Sequence, residues 1–140
     1  MSDYIYELDF KVRDYECDLQ GVVNNAVYQN YLEHTRHEFL LEAGVDFAKL
    51  HDEGTDAMVI KIEMEYKFPL KSGDHFVCRV NMEREGGLKF VFIQDIFRKS
   101  DNKLILKGRV TGVCVRQGRP SRPDEIMAAL EAYVASKLAK

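Results

Sequence analysis

Apolar residues recur along this chain in two rhythms, and the switches between them mark its elements. Residues 4–13 carry Ile5, Leu8, Phe10 and Val12 and read as a first strand. From Val27 to about Ala43 the period lengthens: Val27, Tyr28, Tyr31, Leu32, Phe39, Leu40 and Ala43 fall at helical spacing. Asn24 or Asn25 is placed to cap this helix and Gly44 to stop it, which predicts a rod about 25 Å long. A helical turn over 46–53 ends near Gly54. Then Met58, Ile60, Ile62, Met64, Tyr66 and Phe68 alternate with Lys61, Glu63, Glu65 and Lys67, a period of two with one wet face.

Pro69 and Ser72-Gly73-Asp74 make a turn, after which Phe76, Cys78, Val80 and Met82 alternate again. Gly86-Gly87 signals a hairpin, and two further strands follow over 88–99 and 103–117, joined by Ser100-Asp101-Asn102. A last helix opens at Ser121-Arg122-Pro123-Asp124-Glu125 and shows Ile126, Leu130, Tyr133, Val134 and Leu138 on one face. The predicted order is β-α-β-β-β-β-α. It makes an α+β fold in which an antiparallel sheet packs its apolar face on one long helix. With no repeat or linker, residues 1–140 read as a single domain.

Composition narrows the function classes. The chain is 46% apolar and 31% charged, ordinary for a globular protein. Its net charge of -3 argues against nucleic acid as the main partner. No apolar run reaches the roughly 18 residues of a membrane span, and the acidic start lacks the order of a signal peptide, so the expected location is cytoplasmic. Three cysteines with no C-x-x-C pair suggest neither a disulfide framework nor a zinc knuckle. Cys78 and Cys114 are expected to be small buried apolar residues, whereas Cys17 sits beside Asp18.

The chemistry concentrates where the first strand meets the long helix. Asp14, Glu16 and Asp18 lie in one short loop, followed by Gly21 and the pair Asn24-Asn25. Asp18 precedes Asn25 by seven residues, so the loop can return a carboxylate to the positive end of the helix. Free N–H groups there can polarise a carbonyl oxygen. By spacing alone, solvated or capping acids are the commoner outcome. His34 and His37 lie three apart with Glu33 and Glu38 beside them, but no third ligand is placed. They fall off the apolar stripe and read as surface residues, so no metal site is expected. Lys71, Arg79, Arg84, Lys89, Arg98 and Lys99 are mostly outward positions of a half-exposed sheet, each open to a phosphate.

The run Asp18-x-x-Gly21-x-Val23-x-Asn25-x-x-Tyr28-x-x-Tyr31-Leu32-Glu33 resembles the acyl-CoA thioesterases of the 4-hydroxybenzoyl-CoA thioesterase type, which have the hotdog fold. The order of elements agrees with that fold over the whole chain. The resemblance implies a sheet wrapped around the long helix, edge-joined homodimers that often form homotetramers, and active sites at the dimer interface. It implies an acyl-CoA or acyl-carrier-protein thioester as partner and no cofactor beyond the CoA of the substrate. It places the catalytic carboxylate on Asp18 and the polarising backbone N–H on Asn25, with Tyr28 lining the site or packing under it. Two departures stand out: Glu16 where many members have aspartate, and Val23 where many have histidine.

A thioester suits such a site. Its thiolate leaving group has a parent pKa of about 8.5 if cysteine is the reference, so no general acid is essential. Asp18 would either attack the carbonyl, giving a mixed anhydride, or deprotonate a water. The acyl group is expected between the long helix and the partner subunit, near Tyr28, Tyr31 or Met58, with Lys89 on a CoA phosphate. The competing readings are a non-catalytic acyl-CoA-binding protein, a dehydratase or hydratase, which would need a histidine acid/base, and Cys17 as nucleophile, which lacks a placed base. The acyl type stays open.

Overall fold

The alternating segments pair into one antiparallel sheet in a computed structural model that describes residues 4–138. Its strands are β1 (Tyr6–Lys11), β2 (Thr55–Tyr66), β3 (His75–Glu85), β4 (Lys89–Arg98), β5 (Lys103–Arg116) and a short β6 (Arg119–Ser121). They neighbour one another as β1-β3-β4-β5-β2, with β6 on the end of β5, so β1 and β2 are the free edges. The helices are α1 (Asn25–Glu42), α2 (Phe47–Asp52) and α3 (Asp124–Leu138). The predicted order is present, α2 occupying the turn expected over 46–53. Strand β6 is an addition that the hydrophobic pattern does not announce, because three residues are too few to show a period.

Helix α1 packs on the inner face through Tyr28, Tyr31, Leu32, Phe39 and Leu40, and the sheet curls around it. Leu32 meets the sheet at Gly108, which forms a row with Gln94 of β4 and Met64 of β2. A Cβ there would stand 2.9 Å from Leu32 Cδ1 and 2.8 Å from the Gln94 carbonyl oxygen, so any side chain would have to displace the β4 backbone as well as the Leu32 side chain. Leu32, Phe39, Phe76, Val80 and Val110 are fully enclosed around this crossing, each worth about 1.5–3 kcal/mol of burial. Cys78 and Cys114 are buried free thiols, as expected. Met127 joins Ile126 and Leu130 in anchoring α3, and Tyr133 packs edge-on against Phe39 at 5.8 Å. The Leu138 side chain, assigned to the same face from sequence, lies outside the described residues.

Two expectations change. The apolar stripe of α1 lapses in the sequence between Leu32 and Phe39, yet Thr35 and Arg36 are buried in that gap. The second concerns β2, where the pairing shifts between Val59 and Lys61. Before the bulge, Ala57 and Val59 oppose Cys114 and Gly112; after it, Ile62 and Met64 oppose Val110 and Gly108. An inserted residue reverses which side each following residue faces. Met58 and Ile60 therefore leave the inner face and stand half exposed. The alternation from 58 to 68 is two half-faces joined at Ile60. No helix among the described residues is long and apolar enough to cross a membrane.

Candidate active site

Between β1 and α1 the chain makes a tight loop held at both ends. The Asp14–Glu16 segment forms one 3-10 turn, and Cys17 then bridges back to Val23. Within the bridge the Asp18 N–H donates to the Val22 carbonyl (2.8 Å) and the Gly21 N–H to the Asp18 carbonyl (3.0 Å). Gly21 has φ +79°, a left-handed conformation that lets the loop close this tightly. The Val23 N–H donates to the Leu70 carbonyl at 2.9 Å, and Val22 bridges to Lys71, so the loop is stitched to the segment between β2 and β3.

The loop acids have separated environments. Glu16 is buried: its carboxylate accepts from the Arg13 N–H (2.8 Å), the Arg13 guanidinium (3.0 Å) and the Tyr31 hydroxyl (2.9 Å). Burial raises its pKa, but those hydrogen bonds outweigh burial and hold it below the ordinary glutamate value. The Tyr31 phenol is pushed far up, by burial first and then by the Glu16 carboxylate. Asp14 accepts from the Ser72 hydroxyl. Asp18 is exposed, and its carboxylate accepts only from the loop's own N–H groups, Gln20 at 2.9 Å and Val22 at 3.4 Å. Of the three, Asp18 alone has neither a cation nor another side chain holding it among the described residues.

Asn24 is the cap of α1: its side chain accepts from the Ala26 N–H at 3.0 Å. That assigns the capping side chain to Asn24 and makes Asn25 the first helical residue. The Asn25 N–H has no acceptor among the described residues, as expected of a first-turn donor. Tyr28 is buried beneath this junction, with its hydroxyl accepting from the Leu70 N–H at 3.1 Å. Sequence reading missed Tyr66, whose hydroxyl donates to the Asn25 carbonyl at 3.3 Å and whose ring meets Tyr28 at 5.5 Å. Its place in an apolar alternation gave no sign that the strand's end would fold over the helix start.

Two hollows flank α1. A cleft of about 810 Å³ opens toward β1 and includes Phe10, Arg13, Val27, Tyr31 and His34. A groove of about 270 Å³ opens toward β2, between Gln29, Glu33, Arg36 and Leu40 of the helix and Val59 and Ile62 of the strand. Asp18, Asn25 and Tyr28 thus belong to one junction, while Tyr31 and Met58 fall on opposite sides of α1. Lys89 lies in a row with Val113 and Met58, at the start of β4. The loop packs near the other end of that strand, about 30 Å away at 3.4 Å per residue. Within one chain, Lys89 does not reach Asp18. His34 and His37 are exposed, and no group of three metal-binding side chains occurs among the described residues.

Comparison with known proteins gives the family and the fold. The model of the thioesterase-like superfamily matches residues 12–131, from the end of β1 into α3. An acyl-acyl carrier protein thioesterase, ATL3, of Arabidopsis thaliana is 35% identical over 93% of this chain and 67% of its own length. A second Arabidopsis thaliana thioesterase, ATL2, is 36% identical, and this chain spans 63% of it. A putative esterase of Aquifex aeolicus is 30% identical over 86% of this chain and 94% of its own length. Among solved structures, a 1,4-dihydroxy-2-naphthoyl-CoA thioesterase from Synechocystis shares the fold with a TM-score of 0.82 at 11% identity, covering 93% and 95% of the two chains. A hypothetical protein from Aquifex aeolicus superposes with a TM-score of 0.80 at 28% identity over 89% and 98%. The chain belongs to the thioesterase-like superfamily and is a hotdog-fold enzyme of the thioester-hydrolase class.

Proposed function

We propose that the protein hydrolyses an acyl thioester, of CoA or of an acyl carrier protein, at the junction of the loop and α1. The observation that carries this reading is an exposed carboxylate held only by two N–H groups of its own loop, on the loop that leads into a helix whose first N–H has no acceptor among the described residues, with that loop bridged to the segment between β2 and β3. The thioester oxygen accepts from the Asn25 N–H, where the helix dipole favours the charge that develops. Asp18 attacks the carbonyl carbon or takes a proton from the attacking water, and the thiolate departs without a proton donor. The acyl group runs from there into the groove between α1 and β2. That choice over the β1 cleft follows from the helix itself, because Asn25, Gln29, Arg36 and Leu40 lie on one row at intervals of three or four residues or their multiples.

The assembly we propose is a homodimer paired along β2, or a homotetramer built from such dimers. Met58, Val59 and Ile60 leave about half their surface open on this free edge, and Leu19 beside Asp18 is fully exposed. Antiparallel pairing would bring the Lys89 end of a second copy alongside the Asp18 end of the first, where a CoA phosphate could meet it. Three free cysteines suit a reducing compartment such as the cytoplasm.

Hydrolysis of a panel of short, long and aromatic acyl-CoAs, and of matching acyl-carrier-protein esters, tests the reading. Asp18→Ala and Asp18→Asn are expected to lower kcat by about 10²–10⁴-fold. Wild-type turnover by Asp18→Ala would sink it. Binding of the CoA esters without cleavage would point instead to an acyl-CoA-binding protein.

A further inference from the structure

Arg36 is a buried cation that no carboxylate contacts as an ion pair among the described residues; Glu33, on the same wall, acts on it only through space. Arg36 sits in the third turn of α1, 6% exposed, and none of the ion pairs among the described residues includes it. Its Nη1 donates to the Gln94 side-chain oxygen at 3.0 Å. Gln94, fully buried, is held in that orientation because its own Nε2 donates to the Leu32 carbonyl at 2.9 Å. A guanidinium carries five N–H donors, and the Gln94 oxygen occupies one of its three nitrogens. Nε and Nη2 have no acceptor among the described residues, yet no fully enclosed side-chain nitrogen is left unpaired. These two atoms therefore open on the groove that Arg36 lines, whose other walls include Leu40, Phe47, Phe90 and Phe92.

Burying a charge against aromatic and aliphatic walls is costly unless acceptors meet its donors. We propose that Arg36 is a specificity site for an uncharged oxygen, a hydroxyl or keto group, far along the acyl chain. This rests on the groove being the acyl site. Eleven residues of helix separate Arg36 from Asn25, about 16 Å, so an oxygen near the reacting carbonyl cannot be its partner. Glu33, on the same wall, disfavours a carboxylate there and can accept a hydrogen bond from a hydroxyl. An unsubstituted chain would cover the guanidinium and strip it of water without replacing the lost hydrogen bonds.

The test compares dodecanoyl-CoA with ω-hydroxydodecanoyl-CoA in wild type and in Arg36→Met, by kcat/KM and by the affinity of the matching non-cleavable thioether analogues. The wild type is expected to favour the oxygenated chain by about tenfold or more in affinity, the ratio that a hydrogen bond to a charged donor typically sets. Arg36→Met is expected to bring that ratio near unity. If wild type cleaves both esters but binds the two analogues alike, the Arg36 site falls while the thioesterase reading stands. If it discriminates between analogues without cleaving either ester, the site stands and the hydrolase reading falls. Equal preference in wild type overturns the proposal even if Arg36→Met fails to fold, because that comparison needs no variant.

Discussion

Glu16 and Asp18 are two residues apart, and the difference between them is hydrogen bonding. Glu16 is consumed by Arg13 and Tyr31, so it holds the loop; Asp18 is left with two loop N–H groups and open space. Glu16→Gln is expected to destabilise the fold by about 1–3 kcal/mol, since charge-assisted bonds become neutral ones and a donor faces the Arg13 donors. The pH dependence has a definite sign. The Glu16 pKa is lowered on folding, so its contribution is complete above the unfolded value of 4.5 and is lost as pH falls through the folded value. Urea melts between pH 3 and 7 should show wild-type stability falling more steeply below about 4.5 than that of Glu16→Gln. Parallel curves would remove Glu16 from the account. Asp18→Asn should melt close to wild type, because an amide oxygen can still accept from the Gln20 and Val22 N–H groups.

At the scale of one element, the start of α1 separates the cap from the proposed carbonyl donor. Asn24 supplies the capping side chain, and Asn25 supplies only a backbone donor. Proline is tolerated at the first position of a helix, where its missing N–H has no partner inside the helix. The residue before it must be extended, and Asn24 already is, with φ -62° and ψ 137°. Asn25→Pro should therefore leave the circular dichroism of the helix intact while kcat falls about 10²–10³-fold through loss of the polarising donor. Normal turnover in a folded Asn25→Pro protein would move the carbonyl elsewhere. The bulge in β2 acts at the same scale. It breaks the register at Ile60, so the strand wall of the groove comes from Met58 and Val59 before the bulge and Ile62 after it, and Met58 remains a candidate for the acyl contact.

For the whole molecule, the free β2 edge is a feature that one chain leaves unsatisfied. An unpaired edge with half-exposed apolar side chains is a template for another strand. Ile60→Lys is expected to weaken self-association by about tenfold or more and to cost activity in proportion to the monomer formed. Sedimentation velocity alongside turnover, across protein concentration, checks both at once. A variant that stays associated and active would move the interface to another face.

Much of this was readable before any coordinates. Periods of two and 3.6 placed the long strands and α1 within a few residues, because each of those elements buries one face and exposes the other. The motif from Asp18 to Glu33 named the loop and the superfamily. Thr35 and Arg36 escaped notice because polar side chains break a hydrophobic pattern even when hydrogen bonds let them be buried. The β2 bulge escaped too, since strict alternation continues in the letters while the pairing shifts. Tyr66 over Asn25, Glu16 against Tyr31 and the open donors of Arg36 all join residues at least 15 positions apart or depend on a wall made by another element. Local spacing thus determined which elements form and that a loop carboxylate stands seven residues before a helix start. Only the tertiary structure decided which acid is left exposed without a side-chain partner and which groove carries a buried cation, because both depend on donors and acceptors supplied from distant parts of the chain.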